Sequence, residues 1–237
     1  MGKDNFLDSV LITGANRGIG LGLVNHYLIK GLTIVATSQE PENSTDLLQL
    51  QKDYGNKLLV LRLDVTNEES IASFINKLKE RQVTFSLVIN NAGISIEGEF
   101  GEWTSAMFIK QFSVNTIGPA LIAQAIAPFL HEGSKMVQIS SGMGSLAWNI
   151  NPENALDAYA VSKCALNMIT RRLAEKLRSK GVIVFSMNPG WVKTEMGGQE
   201  APTTIEDAIQ NMVATINKVT IKKSGRFLSE TAEIIPW

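Results

Sequence analysis

Short apolar runs alternate with stretches whose apolar positions recur at helical spacing, from one end of this chain to the other. The strand-like runs are Ser9–Thr13, Thr33–Thr37, Leu58–Leu63, Leu87–Asn90, Lys135–Ser140, Val182–Met187 and Arg226–Leu228. Such alternation predicts an α/β fold: a doubly wound parallel sheet of about seven strands with helices on both faces. The first helix is expected to begin near Leu21. In Thr66-Asn67-Glu68-Glu69 the pattern is a capping box, with Thr66 accepting from an orphan backbone N–H and Glu69 reaching back. A helix from Glu68 to about Arg81 should follow. Trp103 to Leu130 reads as one long helix; Pro119 and Pro128 argue for a kink or break, while the spacing of Phe108, Phe112 and Ile122 favours continuity. A further helix is expected from about Asn154 to Ser179. No repeat or linker interrupts the pattern, and 237 residues with 44% apolar content bury one full core. Residues 1–237 therefore read as a single domain.

Glycines mark the first passage from strand to helix. Thr13-Gly14-Ala15-Asn16-Arg17-Gly18-Ile19-Gly20 follows the first strand directly and precedes the first helix. Glycines there permit a tight turn and let backbone approach a pyrophosphate, while the helix N-terminus offers unpaired N–H groups and a partial positive charge. The spacing Gly-x-x-x-Gly-x-Gly differs from the more widespread Gly-x-Gly-x-x-Gly, and an ordinary turn is the competing interpretation. Asn90-Asn91-Ala92-Gly93 ends the fourth strand, where small side chains would let the ribose and adenine side of a cofactor pack on backbone. The same residues are also good turn chemistry.

Tyr159-Ala160-Val161-Ser162-Lys163 sets a phenol and an ammonium four residues apart on one helix face. With an oxidised nicotinamide nearby, Lys163 is expected to favour phenolate and pull the Tyr159 pKa down from about 10. Ile139-Ser140-Ser141-Gly142 ends the fifth strand and brings a hydroxyl to the same sheet edge, to donate to a substrate carbonyl oxygen. A serine-rich strand end is the plain alternative.

Charge and composition narrow the partners. The formal net charge is −1 without a basic or acidic block, so nothing points to a nucleic-acid backbone or an anionic membrane, and a small molecule is expected. The single cysteine, Cys164, excludes an internal disulfide and a cysteine metal cluster and fits a reducing compartment, with the cytoplasm as the expected location. His26 and His131 are too few and too far apart for a zinc dehydrogenase, so no metal is expected. Met1-Gly2 is followed by Phe6 where myristoylation wants Ser or Thr, the run between Asp8 and Gly14 is too brief for a secretory segment, and no run reads as long enough to span a bilayer. There is no Gly-x-Ser-x-Gly elbow for a hydrolase.

In their order, Thr-Gly-x-x-x-Gly-x-Gly, Asn-Asn-Ala-Gly, a strand-ending Ser and Tyr-x-x-x-Lys resemble the motif series of the short-chain dehydrogenase/reductase family, over essentially the whole chain. Asn188-Pro189-Gly190-Trp191-Val192-Lys193-Thr194 resembles the family's segment that contacts the nicotinamide carboxamide, through Pro189, Gly190, Val192 and Thr194. Within the family, that segment with Met196-Gly197-Gly198, and the ending Gly225-Arg226-Phe227-Leu228 through Pro236-Trp237, resemble the C-factor and sniffer-type carbonyl reductases. The resemblance implies a Rossmann fold and an NAD(P)(H)-dependent oxidoreductase with Tyr159 as general acid or base. It makes Lys163 a ligand of ribose hydroxyls, Ser141 the group orienting the carbonyl, with Ser140 as fallback, and Asn115 the holder of a water that relays protons through Lys163. Gly14, Asn16, Arg17, Gly18, Ile19, Gly20, Asn91, Ala92 and Gly93 would contact the cofactor, and Asp64-Val65 resembles the pair that contacts adenine.

The end of the second strand, Ala36-Thr37-Ser38-Gln39, lacks an acidic side chain for an adenosine ribose 2′-OH before Glu40. Arg17 resembles the basic residue that NADP-preferring members set against the 2′-phosphate, with Thr37 or Ser38 as further donors. NADP(H) is therefore favoured, with NAD(H) as the alternative, since Gln39 stands where many NADP-dependent relatives carry a second Arg. Trp148, Trp191 and Met196 on loops suggest an apolar pocket for hydrophobic aldehydes, ketones or quinones; core packing or oligomer contacts are the other interpretation. The gap from Ser141 to Tyr159 is longer than the family's common spacing, which assigns the loop with Trp148 and Asn151-Pro152 to the pocket wall. A homodimer or homotetramer through Phe108–Leu130 and Ala155–Leu177 is implied as well. The alternative function is that of a C-factor-like signalling or cofactor-sensing protein with little turnover.

Overall fold

The computed structural model describes residues 6–237, so Met1-Gly2 lies outside the described residues. Among these, seven strands form one sheet: β1 (Ser9–Ile12), β2 (Ile34–Ser38), β3 (Leu58–Arg62), β4 (Phe85–Asn90), β5 (Leu130–Ile139), β6 (Ile183–Asn188) and β7 (Phe227–Ser229). Their order is β3-β2-β1-β4-β5-β6-β7, and every neighbouring pair is parallel. Strand order reverses between β1 and β4, which opens a crevice at the carboxyl ends of those strands.

Successive residues of a strand point to opposite faces, and each face carries its own helices. Val10 and Ile12 of β1 join Leu23, Val24 and Leu28 of α1 (Gly18–Ile29), Leu47 of α2 (Thr45–Tyr54) and Met212 of α7 (Ile205–Lys218) in one buried layer. Leu11 faces the other layer, with Phe74 and Leu78 of α3 (Glu68–Glu80), Ile122 and Ile126 of α5 (Gly118–Ile126) and Ala174 of α6 (Asp157–Lys176).

The expected helix from Glu68 forms, but its cap differs from the expected one. Asn67 accepts from the Ser70 N–H, while the Thr66 hydroxyl donates to Asp64 Oδ1 at 2.7 Å. Thr66 is thus held by the preceding aspartate and is not free to cap. The long helix is continuous over Ser105–Phe129, starting two residues after Trp103 because Thr104 caps it. It comprises α4 (Ser105–Phe112), a π-helical turn at Ser113–Ile117, α5 and a closing 3₁₀ turn. Pro119 has no N–H to donate to the Asn115 carbonyl four residues back, and the wide turn sits just there. Leu130, expected as helix, opens β5 opposite Phe85. Contrary to expectation, this helix is long and apolar enough to cross a membrane. Here it packs on the sheet and on α6, burying Gln111, Asn115 and Thr116.

Candidate active site

The glycine turn is built from backbone. Gly14 and Gly18 adopt φ of +60° and +54°, which L side chains rarely take, and α1 begins at Gly18, earlier than the expected Leu21. A Cβ on Gly14 would lie 2.8 Å from Ala92 Cα, and one on Gly20 would lie 2.4 Å from the Gly14 carbonyl oxygen. No side chain caps α1, so the first-turn N–H groups at Gly18, Ile19 and Gly20 are free to meet an anion. Ile19 itself packs on the core and Asn16 is half-buried. The Asn91 side chain donates to the carbonyls of Thr13 and Gly14 at 3.0 and 2.9 Å, and the Thr13 hydroxyl accepts from the N–H groups of Asn91 and Ala92. The Asn91 side chain is therefore bound into the glycine turn, which leaves the backbone of Asn91, Ala92 and Gly93 as the part expected to meet a cofactor.

At the opposite side of the crevice, α6 carries Tyr159 and Lys163 on one face, with Lys163 Nζ 5.6 Å from the Tyr159 ring centre. Lys163 is buried and its ammonium donates to the Ile139 carbonyl at 2.8 Å. Burial pushes Lys163 down to about 8 and Tyr159 up to about 12, the latter partly offset by a hydrogen bond with Ser141. The expected lowering of the tyrosine belongs to the state with an oxidised nicotinamide beside it. In the protein alone desolvation outweighs the ammonium, whose proton is directed at a backbone carbonyl. The structure separates the paired serines: Ser141 faces Tyr159, whereas Ser140 is 2% exposed and donates to Asn167 at 2.8 Å.

Asn115, in the π-helical turn, is fully buried. Its amide donates to the Ile94 carbonyl at 2.8 Å and to Ser162 Oγ at 3.0 Å, and accepts from the Ile94 N–H. A Cβ on Gly93 would stand 3.4 Å from Asn115 Oδ1 and 3.5 Å from Lys163 Nζ. The bare backbone at Gly93 thus lies against those two side chains, at the strand end where the ribose of a dinucleotide is expected.

The adenosine end departs from expectation. Thr37 and Ser38 are 1% and 4% exposed, and Ser38 Oγ accepts from the Glu40 N–H and the Ser44 hydroxyl. Neither presents a free donor at the surface. Arg17 is exposed and pairs with Glu195 at 2.6 Å. Arg62, which sequence reasoning did not select, donates to the Gln39 carbonyl at 2.8 Å and pairs with Glu42. Although partial desolvation raises it, hydrogen bonds from Thr66 and Gln39 hold the Asp64 carboxyl below its usual range. Val65 is 6% exposed and packs both its side chain and its carbonyl on the bare Gly118 of α5.

After β6, Pro189 is buried, Gly190 takes φ +82°, and Val192 bridges to Thr203. Thr194 stands against Gly18, where a Cβ would meet its methyl at 3.4 Å, and its hydroxyl accepts from the Gly197 N–H. Asn188 Oδ1 accepts from the N–H groups of both Gly142 and Gly190, tying this loop to the Ser141 turn; no local signal marks that role in the sequence. Of the three pocket candidates, Trp148 lies over Gly142, beside Ser141, together with the unselected Ile150. Trp191 is bonded within its own loop to the Gly197 carbonyl, and Met196 is exposed.

Comparison with known proteins agrees with this geometry. A family model described as short chain dehydrogenase matches residues 8–205. The NADPH-bound carbonyl reductase from chicken fatty liver is similar with a TM-score of 0.92 and 32% identity, over 98% of this chain and 99% of its own. The carbonyl reductase Sniffer of D. melanogaster is similar with a TM-score of 0.91 and 29% identity, over 98% and 100%. C-signal of Myxococcus xanthus is 34% identical over 154 residues, which is 64% of this chain and 92% of that protein.

Proposed function

Since the chain belongs to the short-chain dehydrogenase family, and is thereby an oxidoreductase, we propose that it is an NADP(H)-dependent carbonyl reductase for hydrophobic aldehydes, ketones or quinones. The observation that carries this reading is the grouping of three side chains: the Tyr159 phenol stands beside the Ser141 hydroxyl, with the buried Lys163 ammonium 5.6 Å from its ring centre on the same face of α6. Carbonyl reduction needs a proton donor at neutral pH.

The first turn of α1 and the bare backbone at Gly93 would hold the dinucleotide, with Arg17 turning from Glu195 to a 2′-phosphate. When bound, NADPH supplies the hydride. Tyr159 delivers the proton to the carbonyl oxygen, and Ser141 donates a hydrogen bond to the charge developing there. Lys163 would bond the ribose hydroxyls and stabilise the phenolate left behind. Asn115 keeps Ile94 and Ser162 in place beside it. Trp148 and Ile150 form the apolar wall that excludes water above Ser141.

The test is the initial rate of NADPH oxidation, beside NADH, with aromatic aldehydes, ketones and quinones. Tyr159→Phe should lower kcat by roughly a thousandfold while NADPH binding survives. A wild type that binds NADPH yet reduces nothing would favour the signalling or sensing reading, which the likeness to C-signal keeps open.

A further inference from the structure

Ser141 stands on neither strand nor helix. It opens a short 3₁₀ turn, Gly142–Gly144, between β5 and the loop carrying Trp148. A side chain of α6 holds that turn from both ends. Asn167 is 2% exposed and sits one turn beyond Lys163. Its Oδ1 accepts from Ser140 Oγ at 2.8 Å, and its Nδ2 donates to the Gly144 carbonyl at 3.1 Å. Those two partners flank Ser141, Gly142 and Met143. The orientation of the amide is forced, because the Gly144 carbonyl can only accept and must therefore face the NH₂ group. Gly144 is itself seated on the helix: a Cβ there would come within 2.9 Å of the Lys163 carbonyl carbon and 3.0 Å of the Cys164 nitrogen.

We infer that Asn167 is a positioning residue for carbonyl reduction, clamping both ends of the turn that carries Ser141 to the helix that carries Tyr159 and Lys163. The inference rests on the reading of Ser141 as the group that orients the carbonyl. Asn167 touches neither Tyr159 nor the Ser141 hydroxyl, so it acts through backbone. Removing its buried amide leaves the Gly144 carbonyl without that donor and Ser140 Oγ with only the Lys163 carbonyl at 3.5 Å, and the turn is then free to shift.

The experiment is a double-mutant cycle of Asn167→Ala and Ser141→Ala, reading kcat, the Kd for NADPH and the melting temperature. Asn167→Ala should lower kcat by roughly tenfold or more through misplacement, with NADPH affinity changed less than about twofold. In the Ser141→Ala background the same change should cost less than about twofold in kcat, because the group it positions is gone. Wild-type kcat in Asn167→Ala, an additive loss in the double variant, or a loss that follows NADPH affinity would each overturn the inference. Should the alanine variant not fold, Asn167→Asp keeps the size and the Ser140 contact but loses the donor to Gly144. It must lower kcat likewise, and full activity there counts against the clamp. Wild-type turnover in Ser141→Ala would instead remove the reading on which the clamp depends, an outcome distinct from a silent Asn167.

Discussion

Tyr159 and Lys163 are the residues whose environments matter most, and both shifts come from burial. Lys163 is charged below about 8 and neutral above it, while Tyr159 stays protonated up to about 12. On the proposed mechanism kcat/KM for reduction is therefore level through neutral pH and falls as pH rises through about 8; a profile from pH 6 to 10 that stays flat would argue against a role for the ammonium. The Arg17–Glu195 pair gives a second residue-level prediction. Both side chains are mostly exposed, so the pair is weak, and Glu195→Gln should free Arg17 and tighten NADPH binding by about two- to fivefold, leaving NADH unchanged. Equal gains for both cofactors would show that Arg17 does not read the 2′-phosphate.

At the level of elements, the start of α3 separates two readings of the same four residues. Because Asn67 caps the helix and Thr66 bonds Asp64, Asn67→Ala should destabilise the protein by about 1 kcal/mol in chemical denaturation, and more than Thr66→Ala does. The reverse order would restore the capping box. The continuity of the long helix was legible because apolar spacing persists across Pro119, whereas the π turn was not, since it reflects how the chain absorbs the missing N–H. The glycine turn was legible for a local reason: positive φ at Gly14 and Gly18 demands glycine whatever surrounds it. That Asn91 locks this turn was not, because its partners at Thr13 and Gly14 lie far away in sequence and meet it only across the β1–β4 pair.

On the scale of the whole molecule, one face of the helices is left apolar and open. Ile109 and Ile117 on the long helix and Val161 and Met168 on α6 are 48% to 64% exposed, a set that fits the proposed self-association of this chain through these two helices. Ile117→Glu with Met168→Glu should shift the sedimentation velocity boundary to the monomer while the melting curve keeps its shape. A wild type already monomeric at micromolar concentration would remove that proposal.

The sequence alone determined the α/β alternation, the glycine spacing and the pairing of Tyr159 with Lys163, because periodicity, backbone freedom and helical geometry act within a few residues. Tertiary structure decided the rest. It set Ser141 and not Ser140 against the phenol, buried Thr37 and Ser38, gave Arg17 a carboxylate partner and raised the tyrosine of the protein alone. Each of these depends on how much water a group loses and which distant atoms replace it, and both are set only when the sheet and its two helical layers close.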